Sequence, residues 1–224
     1  MRPGARVLAV VGMVREAQII AGEGVSAVIG AGNSAELEEW LELALERLPV
    51  LGLISFGVCG ALDARLKPGD LLIGASVVSG DQRWIADTDW TIRLAQALPF
   101  AILVKITAGD VMVGSVAAKR ALYEQTGAVA VDMESHIVAR TAQRHALPFA
   151  VVRAVSDAAD HALPPAALAG LGPDGRPNIA AVLRSLVAQP GQLPALLRTA
   201  RDAEAAFRTL DRLSLAPVRP PDQP

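Results

Sequence analysis

Short apolar runs recur along this chain, and longer segments of helical pattern separate most of them. A strand that is buried on both faces of a parallel sheet has a nearly continuous apolar sequence, and helices connect such strands and cover the sheet. The alternation therefore predicts a single three-layer α/β/α domain with a mixed, mainly parallel central sheet. The predicted strands cover residues 7–11, 25–29, 50–55, 70–78, 101–106, 128–131 and 149–155.

Residues that start and stop helices bound two of the predicted helices. Asn33 stands three residues before Glu36, which is a capping-box spacing, and the apolar residues that follow recur on one helical face. Ser115 begins a second pattern, and Gly127 ends it, because glycine readily adopts the left-handed conformation of a helix C-terminus. Further helices are predicted over residues 133–146, 179–188 and 193–213.

Composition limits the class of protein. The chain has 224 residues, of which 52% are hydrophobic, so one large core is expected, in a domain over residues 1–215. A proline-rich tail over residues 216–224 is predicted to be disordered. The formal net charge is -2 and Lys and Arg form no dense cluster, which argues against a nucleic-acid partner.

Cysteine content and apolar run length bear on metals and membranes. Cys59 is the only cysteine, so an intrachain disulfide is impossible and a structural zinc site would lack most of its usual ligands. We expect neither a metal nor a cofactor. No apolar run approaches the ~18 residues of a membrane-spanning helix, and residues 1–11 lack the cleavage site of a signal peptide. The expected location is the cytoplasm.

Gly30, Gly32 and Ala35 follow a predicted strand in the loose form of a dinucleotide-binding fingerprint. The acidic residue that would bind a ribose about 20 residues further on is missing, because the chain there reads Leu53-Ile54. A tight turn between strand and helix explains the glycines equally well. A nicotinamide-dependent oxidoreductase is therefore kept only as an alternative.

Acidic residues follow two of the predicted strands, where open parallel sheets bind their ligands. Asp132 is in a position to cap the next helix. Glu134 either accepts hydrogen bonds from two sugar hydroxyls or is a solvated surface residue that faces outward. Asp157 ends an apolar strand, so it is either a partly desolvated general acid or part of an ordinary turn.

Several motifs in register resemble the nucleoside phosphorylase and nucleosidase superfamily, especially its methylthioadenosine/S-adenosylhomocysteine nucleosidase branch. They are Val131-Asp132-Met133-Glu134, Arg153-Ala154-Val155-Ser156-Asp157 with Asp160, and the segments 57–62, 66–70 and 109–110. The resemblance implies cleavage of the N-glycosidic bond of an adenine nucleoside, and it implies a homo-oligomer, for which a dimer is expected.

A narrower resemblance concerns the hopanoid-associated phosphorylase family, and it rests on residues 55–57, 126–136 and 184–201. It implies that the substrate is adenosylhopane, from which adenine is released in hopanoid side-chain biosynthesis. A lipid-linked nucleoside implies peripheral contact with the inner face of a membrane. A methylthioadenosine/S-adenosylhomocysteine nucleosidase and a non-catalytic nucleoside-binding protein are the alternatives.

The superfamily resemblance implies roles for individual residues. Asp157 matches the acid that protonates N7 of the leaving purine, and Ser156 helps to hold it. Glu134 matches the carboxylate that binds the ribose hydroxyls. The remaining residues implied to bind the substrate are Met133 at the sugar, Met112 and Val113 at the base, and Gly57, Val58 and Cys59. The family commonly has Phe in place of Met112, so base stacking is expected to be looser.

The same resemblance leaves the nucleophile open between water and phosphate. Glu16 matches the general base of nucleosidases, which favours hydrolysis. Ser55 and Val58 stand where bacterial phosphorylases place Arg and Ser around phosphate, so two anion donors are missing. Arg15, however, lies close to another phosphate-binding position, so phosphate is kept as a candidate co-substrate. Hydrolysis is the favoured interpretation.

Overall fold

The computed structural model describes residues 5–30, 33–170, 172 and 174–213. A mixed eight-stranded sheet forms the centre of these residues. Its strands are β1 Arg6–Val11, β2 Val25–Ile29, β3 Val50–Ala61, β4 Leu71–Ser79, β5 Gln82–Ile85, β6 Ile102–Ala108, β7 Ala130–Asp132 and β8 Phe149–Asp157.

Most strand pairs are parallel, as predicted. β1 lies parallel to both β2 and β3, β8 is parallel to β3, and β6 is parallel to β4 and β7. Three antiparallel pairs make the sheet mixed: β3 with β7, β4 with β5, and β4 with β8. Because β8 joins β3 to β4 on one side and β7 with β6 joins them on the other, these five strands close into a ring.

Helices cover both faces of the sheet. They are α1 Val14–Ile20, α2 Ser34–Arg47, α3 Thr88–Ala97, α4 Val116–Thr126, α5 Ser135–Arg144, α6 Pro165–Leu168, α7 Ile179–Ala188 and α8 Leu193–Asp211. Alternate residues of β1 belong to different hydrophobic clusters, because successive side chains of a strand point to opposite faces. Leu8 joins the cluster under α2 and α5, and Val7 joins the cluster under α1, α3 and α8.

The predicted helix caps are confirmed. The Asn33 side chain accepts a hydrogen bond from the Glu36 N–H, and the Ser115 hydroxyl accepts one from the Ala118 N–H. Gly127 ends α4 in the left-handed conformation, with φ of 61°. None of the helices in the described ranges is long and apolar enough to cross a membrane.

Two strands differ from the prediction. β3 was expected to end at Ser55 but continues to Ala61, because its second half is paired with β8 and then with β7. β5 was not predicted; it forms a hairpin with β4 through a turn at Gly80, which has φ of 55°. The predicted tail over residues 216–224 lies outside the described residues.

Candidate active site

The carboxyl ends of β1, β3, β7 and β8 bring together most of the candidate residues. Glu16 lies in the first turn of α1, directly after β1. Gly57 and Val58 lie in β3, beside Arg153 and Ala154 of β8. β3 is therefore the element that connects the parts of the site.

Glu16 is buried, and its carboxylate accepts three backbone hydrogen bonds. Oε2 lies 2.8 Å from the N–H nitrogens of both Gly12 and Met13, and Oε1 lies 2.7 Å from that of Val58. Gly57 has φ of 144°, and a Cβ there would overlap Glu16 Oε1. A glycine is thus needed at position 57 both for its backbone conformation and for the space that the carboxylate fills.

Burial raises the pKa of Glu16 from 4.5 to about 7. The Arg153 guanidinium and the backbone N–H groups oppose this shift, whereas the neighbouring Glu134 adds to it. A carboxyl group with a pKa near neutrality exchanges a proton readily at physiological pH, which is what a general base requires. The acidity of Glu16 therefore suits the role of general base that the sequence resemblance implies for it.

Glu134 does not face outward, which corrects one of the alternatives derived from the sequence. It is buried at the start of α5, where its Oε2 accepts a hydrogen bond of 3.0 Å from Arg153 Nη2. A Cβ on Gly12 would lie 2.8 Å from Glu134 Oε1, so glycine leaves room for this carboxylate. Burial raises the pKa of Glu134, and the Arg153 charge opposes the rise.

Arg153 is the central cation of the site, and sequence reasoning assigned it no role. Its guanidinium is completely buried, and Nη2 also donates to Ser55 Oγ at 2.6 Å, while Nη1 donates to the Val58 carbonyl at 3.2 Å. Nε lies 3.0 Å from Asp132 Oδ2. An arginine inside an otherwise apolar strand was the available signal, because a charge is almost never buried unless it is paired.

The sequence predicted that Asp132 caps α5, but the N-cap residue is Glu134, and Asp132 stabilises the turn that leads into the helix. Its Oδ1 accepts hydrogen bonds from the N–H groups of Glu134 and Ser135, at 3.1 and 2.9 Å. The Ser135 hydroxyl bonds to Asp132 and to Ser55. The described residues contain no cluster of histidine, cysteine and acidic side chains suited to a metal ion. The cation between Asp132 and Glu134 is the Arg153 guanidinium.

Asp157 lies at the end of β8 and is bound through both carboxylate oxygens. Oδ2 lies 2.5 Å from the Nζ of Lys119, a residue of α4 whose side chain is completely buried. Oδ1 lies 2.8 Å from Ser156 Oγ, which is also 3.1 Å from the Cys59 carbonyl oxygen. Lys119 was missed from the sequence, because a lysine beside Arg120 in a helix has the pattern of a solvated face.

Glu16 and Asp157 lie along the same stretch of β3. Glu16 contacts Val58, whereas Asp157 is paired with Gly60, where a Cβ would lie 3.1 Å from Asp157 Oδ2. Residues 57–60 span three strand steps, or about 10 Å. The carboxyl groups of Glu16 and Asp157 thus lie at separate points along β3. The Glu134 carboxylate lies near that of Glu16, because both are close to Gly12.

Four further candidates lie on or next to the elements that carry these residues. Met133 is half-buried in the turn before α5, and Met112 and Val113 are half-buried in the loop before α4. The Cys59 side chain is buried in the hydrophobic cluster under α2 and α5, and burial raises the pKa of its thiol. The Cys59 carbonyl oxygen accepts a hydrogen bond of 3.1 Å from the Ser156 hydroxyl.

Arg15 is not brought into the buried cluster. Its Nη1 lies 2.7 Å from Glu204 Oε2 of α8, and its guanidinium lies over the Phe207 ring, 4.1 Å from the ring centroid. Gly30 approaches α2 closely, because a Cβ there would lie 2.8 Å from Leu37 Cδ2. Gly32, the second glycine of the dinucleotide fingerprint, lies outside the described residues.

A cover segment, defined as residues 158–170 and 174–178, runs between the two ends of the site. At the Asp157 end, the Leu163 N–H donates to the Gly114 carbonyl at 2.8 Å. At the Glu16 end, the Gly175 carbonyl accepts a hydrogen bond of 3.1 Å from the Val14 N–H. Backbone contacts therefore attach this segment to both ends of the site.

The chain is similar in sequence to a curated nucleosidase. The chain is 32% identical over 143 residues to the 5'-methylthioadenosine/S-adenosylhomocysteine nucleosidase of Staphylococcus haemolyticus. The aligned residues cover 53% of this chain and 61% of that relative. The chain thus spans less than two thirds of the curated relative's length.

Solved structures share the fold at lower identity. A nucleosidase of the same name from Colwellia psychrerythraea 34H, in complex with adenine, has a TM-score of 0.63 and 16% identity, over 92% of this chain and 95% of that one. Futalosine hydrolase of Helicobacter pylori has a TM-score of 0.61 and 18% identity, over 94% and 98%. Residues 2–188 match the model of the phosphorylase superfamily. With these residues and this fold, the chain belongs to the phosphorylase superfamily.

Proposed function

We propose that this protein cleaves the N-glycosidic bond of adenine nucleosides by hydrolysis. The observation that carries the proposal is the placement of two buried acidic side chains, Glu16 and Asp157, along one stretch of β3. Cleavage of such a bond requires an acid at the base and a nucleophile at the sugar. The arrangement offers one acidic group for each task.

In the proposed reaction, Asp157 gives a proton to N7 of the adenine while the electrons of the bond between C1' and N9 move to the base. The ribose then becomes an oxocarbenium-like cation, which carboxylates nearby stabilise. Glu134 accepts hydrogen bonds from the 2'- and 3'-hydroxyls, and Arg153 keeps its carboxylate oriented. Glu16 takes a proton from the water that attacks C1'.

The anion-binding capacity of the site favours water over phosphate. The Glu16 carboxylate already occupies the N–H groups of Gly12, Met13 and Val58, which would otherwise suit a phosphate. The Arg153 guanidinium is buried among its own partners, and Arg15 is paired with Glu204. The cations described near the site are therefore already neutralised.

Two substrate classes remain within this proposal, and they differ in the 5'-substituent. A small thioether, as in methylthioadenosine or S-adenosylhomocysteine, is supported by the name of the Staphylococcus haemolyticus relative and by the shared fold. This class has the better support. The second class is an adenosine linked to an apolar lipid such as a hopanoid, for which the sequence resemblance was the initial reason.

One structural observation favours the lipid-linked class as a second candidate. α7 has no buried residue, and it exposes Ile179, Leu183 and Val187 along a single face. The helix follows directly on the cover segment, in which the Gly170 carbonyl accepts a hydrogen bond from Asn178 at the α7 N-cap. An apolar 5'-substituent that leaves the pocket beneath the cover segment would meet this surface.

The stretch of sequence that contains α7 is basic. Residues 175–201 contain four arginines and no acidic residue, although the whole chain has a net charge of -2. Apolar side chains flanked by arginines suit the surface of an anionic bilayer. A homo-oligomer, with a dimer expected, stays a prediction.

The experiment is a chromatographic assay of adenine release by the purified full chain. Methylthioadenosine, S-adenosylhomocysteine, adenosine and adenosylhopane are supplied separately, with and without phosphate. The proposal expects free adenine and the free ribosyl product at equal rates in both buffers. Ribose 1-phosphate as the product would contradict hydrolysis. A lack of adenine release from every substrate would support the non-catalytic binding protein.

A further inference from the structure

Lys119 is a completely buried cation with a full set of partners. Its Nζ lies 2.5 Å from Asp157 Oδ2, 2.7 Å from the Ala158 carbonyl oxygen and 3.0 Å from the His161 carbonyl oxygen. A lysine ammonium has three N–H donors, so these three acceptors use all of them. A buried charge is tolerated only when it is paired and hydrogen-bonded. The three contacts thus hold the side chain in one orientation.

This contact distinguishes the two oxygens of Asp157. Oδ2 accepts from the ammonium, so when the carboxyl group carries a proton, that proton belongs on Oδ1. Oδ1 lies 2.8 Å from Ser156 Oγ, and Ser156 can donate its single hydrogen to the Cys59 carbonyl instead. The protein therefore provides a consistent hydrogen-bond pattern for an Asp157 that is protonated on Oδ1.

We propose that Lys119 is a positioning residue that orients Asp157 for protonation of the leaving base. The inference rests on the proposed function. The O–H bond at Oδ1 breaks as the N–H bond at N7 forms, and the departing base receives the electron pair of the glycosidic bond. The carboxylate that remains faces the Lys119 ammonium, which stabilises it. Lys119 keeps its own protons throughout.

A purely structural role is the competing explanation. Lys119 also binds the Ala158 and His161 carbonyls, so it attaches the start of the cover segment to α4. Loss of that attachment would disturb the pocket for any riboside. Loss of an oriented acid would affect only substrates whose leaving group needs a proton. The leaving group therefore separates the two explanations.

The test compares Lys119→Met and Lys119→Gln with wild type on two substrates. One is the adenine nucleoside that wild type cleaves best, and the other is 4-nitrophenyl β-D-riboside, whose leaving group departs without protonation. We expect kcat for the nucleoside to fall about 10²-fold or more, with KM nearly unchanged, because general acids contribute that much. Cleavage of the nitrophenyl riboside should change little. The Gln side chain keeps two N–H donors for the Ala158 and His161 carbonyls. Lys119→Gln therefore keeps the cover segment attached to α4 even if Lys119→Met does not.

Lys105→Met is the matched control, because Lys105 donates from β6 to the Thr126 carbonyl at the other end of α4. It should leave the ratio of the two activities unchanged. A double variant with Asp157→Asn should be no slower than Asp157→Asn alone, since Lys119 acts through that residue.

Equal losses on both substrates, or no loss on either, would overturn the inference while leaving the proposed function intact. Independent, multiplicative losses in the double variant would overturn it as well. If wild type released adenine from no nucleoside, the proposed function itself would fail, and this inference with it.

Discussion

Gly57 and Glu16 fill adjoining space, because any side chain at position 57 would overlap Glu16 Oε1. The same glycine has φ of 144°, a conformation that other residues rarely adopt. Position 57 therefore determines where the carboxylate lies, although Gly57 itself has no group that could act in the reaction. This relationship leads to the first prediction.

Gly57→Ala should abolish most of the adenine release, since the new methyl group displaces the Glu16 carboxylate. Gly80→Ala separates this effect from backbone strain, because Gly80 also has positive φ but has nothing within 4 Å of a Cβ. Gly80→Ala should lose about 1–2 kcal/mol of stability from strain. Gly57→Ala should lose more, because its methyl group also overlaps a buried carboxylate. Kinetics and thermal unfolding measure the two effects. A Gly57→Ala variant with wild-type kcat would contradict the placement of Glu16.

The activity should rise with pH through about 7, because Glu16 must lose its proton to act as a base and its pKa is about 7. Glu16→Gln should lower kcat by about 10²- to 10⁴-fold and remove this ascending limb. The measurement is the pH profile of kcat for both proteins. An unchanged limb in Glu16→Gln would assign the titration to another group.

Glu16 should also make the folded state less stable as pH rises. The carboxyl group binds its proton more tightly in the folded protein, at about pH 7, than at its ordinary value of 4.5. Its contribution is therefore fully present below pH 4.5 and is lost as pH rises through about 7, by about 3 kcal/mol. Urea unfolding between pH 5 and pH 8 should show a smaller decline for Glu16→Gln than for wild type.

Arg153→Met should destabilise the fold strongly, because it leaves the buried Asp132 and Glu134 carboxylates without their cation. Breaking a buried ion pair costs about 3–5 kcal/mol. Arg120→Met is the control, since Arg120 and Glu124 are both exposed and a pair of this kind contributes little to stability. Chemical unfolding of both variants measures the difference, and similar losses would contradict the central role of Arg153.

Arg15→Gln should leave adenine release and its independence from phosphate unchanged. Arg15 contacts Glu204 and Phe207 of α8, so its loss should cost at most about 1 kcal/mol of stability. Activity is measured over a range of phosphate concentrations. A phosphate dependence in wild type that Arg15→Gln removes would restore Arg15 as a phosphate ligand and favour phosphorolysis.

Leu183→Asp with Val187→Asp should abolish flotation of the protein with anionic vesicles, if the apolar face of α7 binds a membrane. Both side chains are more than half exposed, so the substitutions should not disturb the core. Trp40→Asp changes another exposed apolar residue, on α2, and should leave flotation unchanged. A wild-type protein that does not float with such vesicles would remove the membrane proposal.

Part of the fold was predictable, because strands that are apolar in sequence are also buried in the sheet. β1 and β2 were predicted with nearly their observed bounds, since both are short and apolar. β5 was missed because its four residues, Gln82–Ile85, include only two apolar side chains. The second half of β3 was also missed, since its glycines resemble a loop until β7 and β8 pair with it.

Within the site, the sequence alone pointed to Asp157, Glu134 and Glu16, because acidic residues that follow strands are natural ligand-binding positions and the motifs around them resemble a known superfamily. It did not predict Lys119 as the partner of Asp157 or Arg153 as the cation beside Glu134. Each of those pairs joins two different elements, across 38 residues for Lys119 with Asp157 and across 19 residues for Arg153 with Glu134. Only the tertiary fold brings these side chains within hydrogen-bonding distance, and burial is the main cause of the raised pKa of Glu16 and Glu134, to which neighbouring charges also contribute.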